Sequence, residues 1–298
     1  MTQHIHYITL IASDIPLALP HLEYAEKFIE EQAIGLSGKP VWLDAHKAAD
    51  IPVQNALTME QMKNLRHAFA QARIDVICTQ AEKRKKKLLL ADMDSTIVTT
   101  ETLDELADYA GIKDRIAAIT ARSMNGEIDF PEALRERVGL LKGLPLTALH
   151  ETLAETILCE GADKLIHVMK ENGATCVLVS GGFTYFTGAI ANKVGFHHHH
   201  GNELHDDGTS LIGTVGDPIL DKDSKLKFLN TYAATLKVDL SETMAIGDGA
   251  NDLPMLAAAG LGIGYRAKPL LQENLLNILQ FADLRGVLYA QGYKGITA

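Results

Sequence analysis

Three things are scarce in this 298-residue chain, and each scarcity excludes something. Cysteine occurs only at Cys78, Cys159 and Cys176, an odd number without Cys-x-x-Cys spacing. A disulfide framework is therefore not expected, whereas free thiols in a reducing cytoplasm are. No apolar run is long enough to span a bilayer, and the start, Met1-Thr2-Gln3-His4-Ile5-His6, lacks the basic and apolar regions of a secretory signal. Positive charge is in deficit: 28 Lys and Arg face 38 Asp and Glu, a net charge of −10. That balance argues weakly against nucleic acid or an anionic membrane as the main partner. A small anionic substrate stays open, because local groups and a metal govern its binding.

What remains is ordinary globular material, 47% apolar and 22% charged, with length for two or three domains. Its sharpest feature is Leu88-Leu89-Leu90-Ala91-Asp92-Met93-Asp94-Ser95-Thr96. Four apolar residues without alternation predict a strand buried on both faces of a parallel sheet. Ligands of such sheets bind beyond the carboxyl ends of the strands, where Asp92 and Asp94 fall. Two carboxylates two residues apart can converge there, which requires a cation or a retained proton.

Two later strands end in the same manner. Thr175-Cys176-Val177-Leu178-Val179 runs into Ser180-Gly181-Gly182 before a helix near Phe183, a junction that suits a phosphate or is simply a tight turn. Thr243 to Gly247 runs into Asp248-Gly249-Ala250-Asn251-Asp252. If these strands are neighbours, the three loops meet in one acidic, amide-rich pocket. Oxygen ligands without His or Cys suit a hard cation such as Mg²⁺.

Between the first and second of these strands the pattern is helical: Glu101 to Ala110, Lys113 to Met124, Asp129 to Leu141 and Thr147 to Ile157. Four helices without a strand predict an insertion, placed to act as a lid. Residues 1–80 read as strand, helix, strand, strand, helix, strand. Ala81 to Lys87, with five basic residues, predicts a solvated linker rather than a nucleic-acid patch. His197 to His200 predicts a partly exposed strand rather than a metal site, because consecutive residues on a strand point to different sides. Asp206-Asp207-Gly208 predicts the turn of a hairpin.

The ordered motifs Asp92-Met93-Asp94-Ser95-Thr96, Ser180-Gly181-Gly182, Lys225 and Gly247-Asp248-Gly249-Ala250-Asn251-Asp252 resemble those of the haloacid-dehalogenase-like phosphatases. Glu101, Phe130, Leu134 to Val138 and Ala267-Lys268-Pro269 bring the resemblance closer to the branch that acts on O-phosphoserine. It covers roughly residues 86–298 and does not reach residues 1–80. Met93 stands where the family often has Phe.

The resemblance implies an α/β fold. A Rossmann-like three-layer core with a mainly parallel sheet (88–102 and 160–298) would carry a helical cap (103–159) inserted after the first core strand. Residues 1–80 would form a small α+β domain, ACT-like in topology alone, joined by the linker 81–87. The implied activity is Mg²⁺-dependent hydrolysis of O-phosphoserine through an aspartyl-phosphate, the last step of serine biosynthesis. Asp92 is then the nucleophile and Asp94 the acid and base. Mg²⁺ would be held by Asp92, Asp248 and the backbone carbonyl of Asp94, with Asp252 in support. Ser180, Gly181, Lys225 and Asn251 would bind the phosphate, Glu101 the ammonium and Arg137 the carboxylate, under Met124 and Phe130. The positions three and four from Arg137 are not acidic, whereas Arg135 follows Glu132 by three and is expected to pair with it. The alternatives are another small phosphomonoester as substrate, or an amino-acid sensor whose phosphatase domain is regulated. An amino-acid ligand for residues 1–80 and a homodimer are further expectations.

Overall fold

Alternating apolar strands and amphipathic helices fold into two sheets in a computed structural model that describes residues 5–124 and 127–296, the side chain of Met124 excepted. The first sheet comprises β1 (His6–Ala12), β2 (Val41–Asp44), β3 (Ala48–Val53) and β4 (Ile74–Gln80), antiparallel in the order β2-β3-β1-β4. Two helices, α1 (Leu19–Glu31) and α2 (Met59–Phe69), share a core with Ile8, Leu10, Ile51 and Val76 on one face. Period-two alternation sends Ile11, Ala48 and Ile77 to the other face, into the core of the second sheet.

The second sheet begins with β5 (Leu88–Ala91). Four helices follow, α3 (Thr102–Tyr109), α4 (Lys113–Met124), α5 (Phe130–Leu140) and α6 (Leu146–Glu155), before α7 (Ala162–Glu171) leads into β6 (Thr175–Phe183). Next come α8 (Thr184–Val194), β7 (His198–Asn202), the hairpin β8 (Leu204–Asp206) and β9 (Leu211–Val215), and α9 (Lys222–Leu236). The chain closes with β10 (Thr243–Gly247), α10 (Leu253–Ala258), β11 (Leu261–Tyr265), α11 (Pro269–Asn274), β12 (Asn277–Leu279) and α12 (Gly286–Ala290). The sheet order is β12-β11-β10-β5-β6-β7, every pair parallel.

All four residues of β5 are fully buried, each leucine worth about 1.5–3 kcal/mol relative to exposure. Leu88 and Leu90 face α9, α10 and α11, whereas Leu89 and Ala91 face α7, α8 and α12. This is the three-layer α/β arrangement expected from the sequence. With β10 and β6 on either side of β5, the three polar loops project from adjacent strand ends.

The four-helix insertion leaves and returns side by side. Val98 pairs with Leu158 in an antiparallel bridge, and Thr99 N donates to Ile157 O at 2.9 Å. The β8-β9 hairpin leans on it, a contact the sequence pattern did not announce: Gly143 N donates to Leu211 O and Leu146 N to Thr209 O. Arg135 pairs with Asp217 at 2.5 Å rather than with Glu132, because the segment after this hairpin brings a carboxylate to it.

Within the basic run 81–87, expected as a solvated linker, Lys83, Lys85 and Lys87 are exposed, whereas Arg84 and Lys86 are engaged by the protein. Arg84, with 10% of its side chain exposed, forks onto both Asp50 oxygens at 2.6 and 2.8 Å, while Lys86 donates to Ser241 O at 2.7 Å. Arg84 also donates to Ala290 O at 3.0 Å, so this one side chain ties β3 to α12. A further weld is Asn277, whose amide bonds both Cys78 N (2.8 Å) and Cys78 O (3.1 Å), continuing one sheet edge into the other.

His198 to His200 lie on a partly exposed strand, as expected, and that strand is an edge of the sheet. His198 and His200 lie against Tyr232 and Phe228 of α9, at ring distances of 5.2 and 4.0 Å, while His199 contacts Thr187 of α8. Cys78, Cys159 and Cys176 are free and buried. Among the described residues, no helix is long and apolar enough to cross a membrane.

Candidate active site

The β5 strand ends at Ala91, and the chain turns sharply at the aspartates. Ile97 N and Val98 N both donate to Met93 O, and Ser95 adopts a left-handed φ of +55°, a conformation uncommon outside glycine. This turn separates the two carboxylates by environment. Asp92 Oδ1 receives Met93 N (2.8 Å) and Lys225 Nζ (2.7 Å). Asp94 faces the other way, with Oδ1 accepting from Thr102 N at 2.9 Å and Oδ2 from Ser180 Oγ at 2.8 Å.

Their protonation follows. Burial, then the charge of Asp252, pushes Asp92 well above the ordinary carboxylate range, with Lys225 opposing. Burial also raises Asp94, against the Thr102 amide and the Ser180 hydroxyl. An acid raised in this way keeps its proton to higher pH than a solvated one, as a general acid requires.

Lys225 extends from α9, whose start is fixed by Asp221 accepting from Ser224 N at 3.0 Å. Its ammonium lies between Asp92 and Asp252 Oδ1 (2.6 Å), with only 3% of its side chain exposed. Desolvation lowers its proton affinity, but the two carboxylates outweigh it and leave Lys225 above its ordinary value. The ammonium is thus a fixed positive charge beside the nucleophile candidate.

The loop after β10 folds around Asp252, which is fully buried. Asp252 Oδ2 accepts from Asp248 N and Gly249 N, both at 3.1 Å. A side chain at Gly247 would collide with that carboxylate, so the position requires glycine. Burial raises Asp248, with Lys268, 2.8 Å from its Oδ2, opposing. Carboxylate oxygens of Asp92, Asp248 and Asp252 lie within 4.8 Å of one another. Both oxygens of Asp252 are engaged, one by Lys225 and one by two backbone amides. Lys225 takes only Oδ1 of Asp92 and Lys268 only Oδ2 of Asp248, so these two each keep an oxygen to offer a cation. An all-oxygen, desolvated donor set of this kind fits a hard divalent metal.

Ser180 and Gly181 arrive differently from expectation. The strand continues through Phe183 and α8 starts at Thr184, so Ser180 to Gly182 are extended backbone rather than a helix start. A wide irregularity between Val179 and Phe183 loosens their pairing with β7. Ser180 Oγ accepts from Gly182 N at 2.8 Å, and a Cβ on Gly182 would stand 3.0 Å from Ser180 Oγ and 3.1 Å from Asp94 Oδ2. Asn202, unsuspected from the sequence, ties this segment down: its amide donates to Gly181 O and its carbonyl accepts Leu220 N, both at 2.8 Å. At the end of a strand that already carries three histidines, it has no feature in the sequence that sets it apart.

The insertion supplies the other wall. A Cβ on Gly181 would meet the Phe130 ring at 3.4 Å, so Phe130 covers the Ser180 segment. The Arg137 guanidinium sits 5.9 Å from the Phe130 ring centre. Burial lowers Arg137, and the charges of Asp104 and Glu101 oppose. Glu101 precedes α3 and accepts from Ser95 Oγ at 2.9 Å. Asn251 is exposed beside Gly249. The side chain of Met124 lies outside the described residues.

Fold and site together define a phosphate-handling hydrolase of the α/β class. The sequence pattern of the haloacid dehalogenase-like hydrolases matches residues 89–257, and the chain belongs to that family. Among its relatives is a probable phosphoserine phosphatase of Schizosaccharomyces pombe, 41% identical over 210 residues that make up 70% of each chain. A phosphoserine phosphatase of Archaeoglobus fulgidus is 39% identical over 216 residues, and the match spans 63% of that relative. Among solved structures, a probable phosphoserine phosphatase from Vibrio cholerae, unliganded, superposes with a TM-score of 0.77 at 28% identity, covering 97% of this chain and 86% of that one. A phospho-aspartyl intermediate analogue of phosphoserine phosphatase has a TM-score of 0.64 at 38% identity, covering 69% of this chain and 98% of that one.

Proposed function

We propose that the protein hydrolyses O-phosphoserine to serine and phosphate, with Asp92 as nucleophile and Mg²⁺ as cofactor. The observation that carries the reading is the split between the two aspartates: one beside a buried lysine, the other held by a hydroxyl and an amide at the mouth of the insertion.

In the first step an Asp92 oxygen bonds to phosphorus as the bond to the serine oxygen breaks. Asp94 gives its proton to that departing oxygen. In the second, water attacks phosphorus, Asp94 takes a proton from it, and the bond to Asp92 breaks, releasing phosphate. Lys225, Ser180, Gly181 and Asn251 bind the phosphoryl oxygens as charge redistributes. Asp92, Asp248 and the backbone carbonyl of Asp94 would hold the metal, with Asp252 bracing the loop. When bound, the metal supplies positive charge that offsets repulsion between carboxylate and phosphate.

Glu101 and Arg137 would read the amino acid, the first its ammonium and the second its carboxylate. Phe130, and Met124 from the neighbouring helix, would close over it. The names of the relatives support O-phosphoserine over other small phosphomonoesters, and the phospho-aspartyl analogue supports the covalent route. On this reading the chain performs the serine-releasing step of serine biosynthesis.

The test is phosphate release from a panel of phosphomonoesters with Mg²⁺ or with EDTA. O-phosphoserine should lead the panel and EDTA should abolish release. Glu101→Gln should reduce that lead over an ester lacking an amine. A flat panel, or full rate in EDTA, would overturn the reading.

A further inference from the structure

Lys268 has no part in the reading above, yet it touches two of its residues. Its Nζ lies 2.8 Å from Asp248 Oδ2 and 3.6 Å from Glu101 Oε1. The three groups come from separate parts of the chain: the loop after β10, the start of α3, and the residue before α11. Asp248 is 5% exposed, whereas Lys268 and Glu101 are about half exposed, at 58% and 48%. The ammonium thus reaches in from the site mouth across both carboxylates.

Its base is fixed by the surrounding backbone. Lys268 N donates to Asp248 O at 2.9 Å, Gln272 Nε2 to Ala267 O at 2.6 Å, and Arg66 Nη1 to Leu276 O at 2.6 Å just past the end of α11. Arg66 belongs to α2, so the first sheet's helix steadies the short helix that Lys268 begins. The four-carbon stem can swing without disturbing this anchor.

A cation that uses Asp248 Oδ2 must displace the lysine, since two positive charges a few ångströms apart repel strongly in a partly desolvated site. A substrate ammonium that pairs with Glu101 meets the same charge. We propose that Lys268 is a positioning residue that competes with the divalent metal for Asp248 and with the substrate's ammonium for Glu101, and so sets both metal affinity and preference for amine-bearing substrates. The proposal rests on the roles given above to Asp248 and Glu101. It adds that a metal on Asp248 leaves the ammonium to Glu101 alone, because a single ammonium spans both carboxylates.

Lys268→Met tests it, with Lys268→Arg as the charge-preserving control. Mg²⁺ binding is measured by calorimetry on the full chain without substrate. Lys268→Met should bind Mg²⁺ about fivefold more tightly, the scale of a partly exposed ion pair, while Lys268→Arg stays near wild type. Unchanged or weaker binding in a folded Lys268→Met protein overturns the proposal. With Mg²⁺ saturating, Lys268→Met should lower KM for O-phosphoserine and leave KM for 3-phosphoglycerate, which lacks an amine, unchanged. Equal shifts for both esters also overturn it. The calorimetric arm uses no substrate, so it stands apart from any failure of the O-phosphoserine assignment.

Discussion

At the scale of the residue, chemistry depends on how two like carboxylates are given different neighbours. Asp92 and Asp94 share a turn of five residues, yet one contacts a cation and the other a hydroxyl and an amide. Gly182 maintains that difference. Its φ is not left-handed, so its need for glycine is one of space: a Cβ would crowd both Ser180 Oγ and Asp94 Oδ2. Gly182→Ala should therefore lower turnover by roughly 10²-fold, the cost of a misplacement near 1 Å, with its melting temperature little changed. Steady-state kinetics and a thermal melt measure the two, and wild-type turnover would contradict the crowding argument. The aspartates were legible in the sequence because an unbroken apolar strand marks its own end. Asn202 was not, because its two partners, Gly181 and Leu220, lie 21 and 18 residues away.

At the scale of the element, the junction of the sheets carries a titration of its own. Asp75 of β4 accepts from the amides of Gln280, Phe281 and Ala282, just beyond β12. Burial pushes its carboxyl up to about 6, although those amides and Arg73 pull the other way. In the unfolded chain it titrates near the ordinary value of about 4. Between those values the native state binds more protons, so unfolding free energy falls as pH rises and the loss is complete above about 6. Its size is on the order of 3 kcal/mol. Urea titrations of wild type and Asp75→Asn at pH 4.5 and 7.5 isolate it from other groups. The stability of wild type relative to the variant should be greater at the lower pH, and an equal difference at both would contradict the assignment. The strand here was expected, but its role as a joint was not. Asp75, Arg84 and Asn277 act across about 200 residues or between sheets, and no local periodicity encodes such contacts.

At the scale of the whole molecule, the parallel sheet gathers three loops that are far apart in sequence. Adjacent strand ends at β6, β5 and β10 bring Ser180, Asp92 and Asp248 to one edge. That convergence was readable from three apolar runs ending in polar loops. The hairpin packed on the helical insertion was not, because its own alternation says nothing about what it packs against. Lys268 was visible only as part of the Ala267-Lys268-Pro269 segment, and its place over two carboxylates is set by the fold. The proposed reaction is a covalent route through the Asp92 carboxylate. Rapid acid quench with ³²P-labelled O-phosphoserine and Mg²⁺, followed by peptide mapping, tests it most directly. Wild type should carry label on the Asp92 peptide, Asp94→Asn should accumulate more of it, and Asp92→Asn should carry none. Label on the Asp92→Asn protein, or normal turnover by it, would contradict the account.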